Sequence, residues 1–118
     1  MDVLNLYQLR RSTNMSTNKK SEALKFLEEI TGGPLTLKGF LHAIRVGEEM
    51  SQVEFAKILN ISKSHLCDIE KGRKNVSVER ASFFAKTLGY SEDEFIRLAL
   101  QALLANAGLN YKVELKAA

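Results

Sequence analysis

The feature that most constrains this fold is a regular series of helix start and stop signals. Ser or Thr, which cap helix N-termini well, precedes short stretches with apolar residues three and four positions apart, and Gly or Asn follows each stretch. The start signals are Thr36, Ser51, Ser62, Ser77 and Ser91, and the stop signals are Gly47, Asn60, Gly72, Gly89 and Gly108. The pattern predicts five helices, the last of them long and extending to about Asn106, and therefore an all-α domain.

Two of these start signals are reinforced by a glutamate three residues further on. Glu54 follows Ser51 at this spacing, and Glu94 follows Ser91. In such a capping box the serine side chain accepts a hydrogen bond from a first-turn N–H, while the glutamate accepts one from the serine N–H. We therefore expect capping boxes at the starts of the second and fifth helices.

Length and composition exclude several classes of protein. A chain of 118 residues is the size of one domain and is too short for the barrels and doubly wound sheets that carry much cofactor chemistry. The net charge of +3 is compatible with a polyanionic partner, but only clustering of the basic residues would make it informative. Composition alone therefore does not identify a function.

No motif for catalysis, metal binding or cofactor binding is present in the sequence. Cys67 is the single cysteine, and no Cys/His spacing matches a zinc site. Ser64 and His65 are adjacent, so on a helix they diverge by about 100° and cannot act as nucleophile and base. We expect a protein that is not an enzyme and needs no metal or cofactor.

Two further patterns bear on localisation. No apolar run approaches the ~20 residues that span a bilayer. The N-terminus has no basic start followed by an apolar stretch and a cleavage site. We expect a cytoplasmic protein with no membrane partner.

The two ends of the chain differ from its middle. Residues 1–20 are expected to form a flexible arm, residues 21–33 an accessory helix, and residues 34–107 the main domain. Residues 109–116 alternate strictly between apolar and polar, so we assign residues 108–118 to a C-terminal β-strand that pairs with a second subunit. The fifth helix is apolar on more than one stripe, which also favours a partner surface. The residues expected at this dimer interface are Leu100, Leu103, Leu104, Leu109, Tyr111, Val113 and Leu115.

Function is indicated by the segment 51–72, which the signals divide into two short helices joined by a tight turn. Such a pair needs a small residue where the helices approach, here Ala56, and a permissive residue in the turn, here Asn60. The second helix of the pair has one apolar side and one small, polar and partly basic side. That outer side suits insertion into a DNA major groove about 12 Å wide.

Residues 36–98 resemble the XRE or Cro/CI-type helix-turn-helix family of bacterial and phage repressors. The resemblance rests on Met50-Ser51-Gln52, Ala56, Ile61-Ser62, Leu66, Ile69 to Asn75, and Ala85 to Gly89. It implies a five-helix, lambda-repressor-like DNA-binding domain, here with an extra N-terminal helix and a C-terminal strand. Asn60 and Val76 stand where this family often has glycine and proline.

The resemblance also implies roles for individual residues. Gln52 would contact a phosphate; Lys63, Ser64 and Asp68 would read bases, with Lys63 donating to guanine and Asp68 accepting from cytosine. Arg45 and Glu70 would form a structural ion pair. The complete set expected at the DNA interface is Ser51, Gln52, Ser62, Lys63, Ser64, Cys67, Asp68, Lys71, Arg73, Lys74 and Asn75.

These observations predict a homodimeric, sequence-specific transcriptional regulator that represses by reading a palindromic operator in double-stranded DNA. Helix 62–71 would lie in the major groove. One alternative is the antitoxin of a type II toxin–antitoxin module, with a toxin protein bound to residues 1–33. The other is an adaptor that has the same fold and does not bind DNA.

Overall fold

The computed structural model describes residues 35–118, which form five α-helices and no β-strand. In chain order these are α1 (Leu37–Gly47), α2 (Gln52–Leu59), α3 (Lys63–Glu70), α4 (Val78–Leu88) and α5 (Glu92–Asn106). The all-α prediction is confirmed for this part of the chain. The arm and accessory helix predicted for residues 1–20 and 21–33 lie outside the described residues.

Side-chain caps hold the first four helix starts. The hydroxyls of Thr36, Ser51, Ser62 and Ser77 each accept from a first-turn backbone N–H. At α2 the predicted capping box is confirmed. The backbone N–H of Glu54 donates to Ser51 Oγ at 3.1 Å, and the backbone N–H of Ser51 donates to Glu54 Oε1 at 3.3 Å.

The capping box predicted at the start of α5 is wrong. The Ser91 hydroxyl makes no cap and donates instead to the carboxylate of Asp93, two residues along. That bond lowers the pKa of the Asp93 carboxyl, with burial opposing it. Glu94 is engaged elsewhere, because its Oε2 accepts from Arg97 Nη2 at 2.8 Å. The Ser91 hydroxyl therefore bonds the Asp93 carboxylate, whereas the spacing predicted a bond to a first-turn backbone N–H.

One continuous apolar core joins the five helices. Each helix contributes buried side chains, and Leu35, Met50 and Val76 add to the core from the connecting segments. Phe40 on α1 meets Tyr90 and Phe95 edge to face, with ring centroids 5.0 and 5.5 Å apart. This contact fixes the start of α5 against α1, and α4 packs along α5.

The chain reverses after α5. Gly108 has φ +74°, and the N–H groups of Gly108 and Leu109 donate to the carbonyls of Ala105 and Leu104, which is a Schellman ending. The tail that follows, residues 109–118, forms no helix or strand in the single chain, so the predicted C-terminal strand is not present there. It runs back beside α5 because the Gln101 side-chain amide accepts from Val113 N–H and donates to Tyr111 C=O, at 2.9 and 2.6 Å.

None of the helices in residues 35–118 combines the length and the apolar character that crossing a membrane requires.

Candidate nucleic-acid interface

The connection between α2 and α3 is a tight turn at Asn60. This residue has φ 58° and ψ 43°, the left-handed conformation that asparagine tolerates better than most residues. Ile61 N–H donates to the carbonyl of Ala56, whose side chain is buried at the close approach of the helices. The predicted roles of Ala56 and Asn60 are confirmed, and the two helices form a helix-turn-helix unit.

α3 is divided into two sides. Leu66 and Ile69 are buried in the core, whereas Lys63 and Ser64 are exposed at the first turn. Cys67 and Asp68 lie one turn further along the outer side and are half-buried. The hydroxyl of Ser62 accepts from His65 N–H at 3.0 Å, so Ser62 sets the start of this helix.

The inner side of α3 is fastened to α1 by a charged cluster. Glu70 accepts from Arg45 at both carboxylate oxygens, with Nε to Oε2 at 2.9 Å and Nη2 to Oε1 at 3.0 Å. His42 Nδ1 lies 2.9 Å from Glu70 Oε1, and Arg45 Nη1 also donates to the Met50 carbonyl. Arg45 and Glu70 therefore form the ion pair that the resemblance implied, and its geometry is bidentate. His42 is a third member of the cluster, which the sequence did not indicate.

This cluster controls the ionisation of Glu70. Burial disfavours the carboxylate, but the hydrogen bonds from Arg45 and His42 outweigh burial and hold the pKa of Glu70 below its ordinary value. The charged form is therefore the one that joins α1 to α3 at neutral pH.

On the outer side, Asp68 organises the loop that follows α3. Its backbone carbonyl accepts from the N–H groups of Arg73 and Lys74, at 2.8 and 3.2 Å. Its carboxylate accepts from Arg73 Nε at 2.8 Å, and Lys74 Nζ lies 3.6 Å from the second oxygen. The hydrogen bond from Arg73 is the main reason that the pKa of the Asp68 carboxyl is lowered.

Residues 71–75 form a basic loop at the end of α3. Lys71, Arg73 and Lys74 are exposed, and Gly72 takes the left-handed φ of +78° that ends the helix. Asn75 Oδ1 accepts from Asn106 Nδ2 at 2.6 Å, which ties the loop to the last residue of α5. The loop is therefore held at both ends and presents its cations from a defined backbone.

Lys38 joins this basic loop in space, although it lies in the first turn of α1. A Cβ added at Gly72 would be 2.8 Å from Lys38 Nζ, so the ammonium sits directly over the glycine. Sequence reasoning missed Lys38 because no local pattern relates α1 to the loop after α3. The helical pattern of α1 places Lys38 outside its apolar stripe, which was the only available signal.

Electrostatics at the start of α3 favour an uncharged His65. Burial lowers the pKa of this imidazole, nearby Arg80 and Lys74 lower it further, and Asp68 acts in the opposite direction. The positive charge on the outer side of α3 therefore comes from Lys63 and the basic loop rather than from histidine.

The structure groups some of the residues predicted for DNA contact and leaves others apart. Direct contacts join Asp68 to Arg73 and Lys74, and Arg73 Nη2 lies 3.9 Å from Cys67 Sγ. Ser51 and Gln52 stand together at the N-terminus of α2, where Ser51 is used as the cap. Asn75 contacts α5 instead of a member of this group.

The residues predicted for dimer contact lie on α5 and the tail. Leu103, Leu109, Tyr111 and Leu115 are 41–69% exposed. Leu100, Leu104 and Val113 are half-buried. Together these residues provide the apolar surface of α5 and the tail, which is separate in sequence from the α2–α3 unit.

Comparison with known proteins agrees with this geometry. The model of the helix-turn-helix family matches residues 41–95, which run from α1 into the start of α5. No curated protein and no solved structure gives a significant match. This match supports the resemblance of the chain to XRE or Cro/CI-type helix-turn-helix regulators.

Proposed function

We propose that this protein is a homodimeric transcriptional repressor that reads one operator half-site with each α3. The observation that carries the proposal is the outer side of α3, where exposed Lys63 and Ser64 continue into Cys67 and Asp68. Lysine donates to guanine O6 and N7, and serine bonds to several base edges, so the first turn has the donors that base reading needs. The buried inner side keeps this surface turned outward.

Phosphate contacts are assigned to the two ends of the α2–α3 unit. Lys71 and Lys74 of the basic loop, together with Lys38, supply cations beside the end of α3. Gln52 and the N–H groups of the first turn of α2 supply neutral donors at the other end. These contacts would fix the register of α3 on the duplex, while the outer side of α3 selects the sequence.

Dimerisation is assigned to the apolar surface of α5 and the tail. Gln101 bonds the backbone of the tail at Tyr111 and Val113. Backbone groups of successive residues alternate between the two edges of a strand, so we expect those of Lys112 at the opposite edge. A second tail could pair with that edge around a two-fold axis, and the exposed Leu109 and Leu115 would then be covered. A symmetric dimer would require a palindromic operator.

The alternative functions gain no specific observation from residues 35–118. The toxin contact of the antitoxin hypothesis was placed on residues 1–33, outside the described part. The adaptor hypothesis makes a different prediction from ours, since an adaptor would not discriminate between duplexes.

Binding to selected and scrambled duplexes tests the proposed DNA recognition. The full chain would be used to select duplexes from a random pool, and anisotropy would then compare the best duplex with its scrambled form at one near-physiological salt concentration. We expect a preference of ~10³-fold or more. Equal affinity for the two duplexes would contradict the proposal and favour the adaptor.

Sedimentation of a truncated chain tests the proposed dimer. A chain ending at Gly108 retains all five helices of the structure but lacks the tail and its leucines. We expect the full chain to sediment as a dimer and the truncated chain as a monomer. A truncated chain that stays dimeric would show that the tail does not form the interface.

A further inference from the structure

Arg73 lies on the outer side of α3, although it belongs to the loop that follows the helix. Its Nε donates to Asp68 Oδ1 at 2.8 Å, and its Nη2 lies 3.9 Å from Cys67 Sγ. The guanidinium therefore covers the last turn of the side whose first turn carries Lys63 and Ser64. If this side enters a groove, Arg73 enters with it.

The contact with Asp68 leaves part of the guanidinium edge available. Arginine has five N–H donors in a rigid plane. Asp68 uses the Nε–H, and Cys67 takes one direction of Nη2. The Nη1 group and the remaining Nη2–H keep the paired donors that match guanine O6 and N7. The Arg73 side chain is 58% exposed, which leaves it accessible to a ligand.

The charge of this pair argues against a simple phosphate contact. Asp68 cancels the charge of Arg73, and its second oxygen faces Lys74 Nζ at 3.6 Å. A carboxylate beside the guanidinium would repel a phosphate, whereas the acceptors on a guanine edge carry no net charge. The backbone bonds from Arg73 and Lys74 N–H to the Asp68 carbonyl hold the same arrangement from the main chain.

We propose that Arg73, held in place by Asp68, reads a guanine in the operator, and that Asp68 positions this arginine instead of contacting cytosine itself. This inference rests on the proposed function, because it requires the outer side of α3 to lie in the groove. It deepens that function by naming a base and the pair of side chains that selects it.

Base-preference profiles of charge-preserving variants test the inference. The full-length wild type, Arg73→Lys, Asp68→Asn and a control, Arg80→Lys, would each select from the same random duplex pool. Lysine keeps the charge of Arg73 but has no planar pair of donors. Arg80 is an exposed arginine in the first turn of α4, so its replacement controls for the chemical change alone.

We expect Arg73→Lys and Asp68→Asn to lose preference at the same guanine by about tenfold or more, with the rest of the motif retained. Arg80→Lys should select the wild-type motif. Asp68→Asn should also bind a scrambled duplex more tightly than the wild type, because a negative charge has been removed near the phosphates.

Two results would overturn the inference while leaving the proposed function intact. In one, Arg73→Lys selects the full wild-type motif, which would show that Arg73 contributes only its positive charge and does not contact a base. In the other, the two variants change different base pairs, which would make Asp68 a separate reader. A wild-type chain that selects no motif would overturn the proposed function and this inference with it.

Discussion

Asp68 and Glu70 are carboxylates on the same short helix, and about 100° of rotation per residue puts them on nearly opposite sides of it. Glu70 turns inward, where its side chain is 6% exposed and bonds Arg45 on α1. Asp68 turns outward, where its side chain is 24% exposed and bonds Arg73 and Lys74 of the following loop. The pKa of each carboxyl is lowered, but the two ion pairs have different structural roles.

Ion pairs of the same chemistry therefore have two roles in α3. On the inner side the pair packs the helix against α1, and on the outer side it positions side chains toward the proposed DNA contact. The inner pair joins two helices that are distant in sequence, and breaking it leaves charge in a nearly dry site. The outer pair joins neighbours in sequence and is screened by water. Substitutions on the inner side should therefore change stability, and substitutions on the outer side should change DNA binding.

Leu66→Ala and Ser64→Ala should show the largest difference between the inner and outer sides of α3. Leu66 is fully buried, so its truncation should lower the free energy of unfolding by about 2–5 kcal/mol. Ser64 is exposed, and its truncation should change that free energy by no more than about 0.5 kcal/mol while weakening binding to the selected duplex. Chemical denaturation and anisotropy measure the two effects. Equal destabilisation by both substitutions would contradict the division of α3 into two sides.

Glu70→Ala should have the next largest effect. It leaves the Arg45 guanidinium, whose side chain is only 16% exposed, without its carboxylate, and should cost about 3 kcal/mol of unfolding free energy. The matched outer substitution, Asp68→Ala, should leave the melting temperature close to that of the wild type. A larger loss of stability from Asp68→Ala would contradict the contrast.

Acid should weaken the inner pair in a defined range of pH. The folded pKa of Glu70 is lowered, so its contribution is complete above the unfolded value of about 4.3 and is lost as the pH falls through the folded value. The free-energy difference between wild type and Glu70→Gln should therefore shrink as the pH is lowered below about 4. Denaturation curves between neutral and acid pH measure it, and a constant difference would contradict the assignment.

Lys38→Ala should have the smallest effect of these substitutions, and it tests the cation beside the basic loop. Removal of one phosphate-contacting cation should reduce the slope of log affinity against log salt by about 0.9, with no change in the selected motif. Lys86→Ala is the control, because Lys86 lies on α4 beside Glu92 and has no assigned DNA contact. Unchanged slopes for both variants would remove Lys38 from the interface.

The sequence predicted the elements whose signals are local. The Asn60 turn, the Ser51–Glu54 capping box and the buried stripe of α3 each depend on residues within a few positions of one another. Ser91 shows the limit of that reasoning, because its hydroxyl bonds the Asp93 carboxylate instead of a first-turn N–H, and the spacing of Ser91 and Glu94 does not decide between these two partners.

Contacts between distant segments could not be predicted in this way. The position of Lys38 over Gly72 depends on how α1 packs against α3, and the bonds from Gln101 to the tail depend on where the chain reverses. Glu49, with φ 56°, ends the turn after α1 in the left-handed conformation although Gly47 stands two residues earlier. The alternating tail predicted a strand that residues 109–118 do not form in the single chain, because a strand needs a partner and alternation does not name one.

The central claim is that the outer side of α3 and the basic loop form the DNA-binding surface, and backbone NMR shifts during titration with the selected duplex test it most directly. We expect the largest shifts at Lys63, Ser64 and residues 67–75, with small shifts along the second half of α5. Shifts concentrated on α5 and the tail, with α3 unchanged, would contradict it.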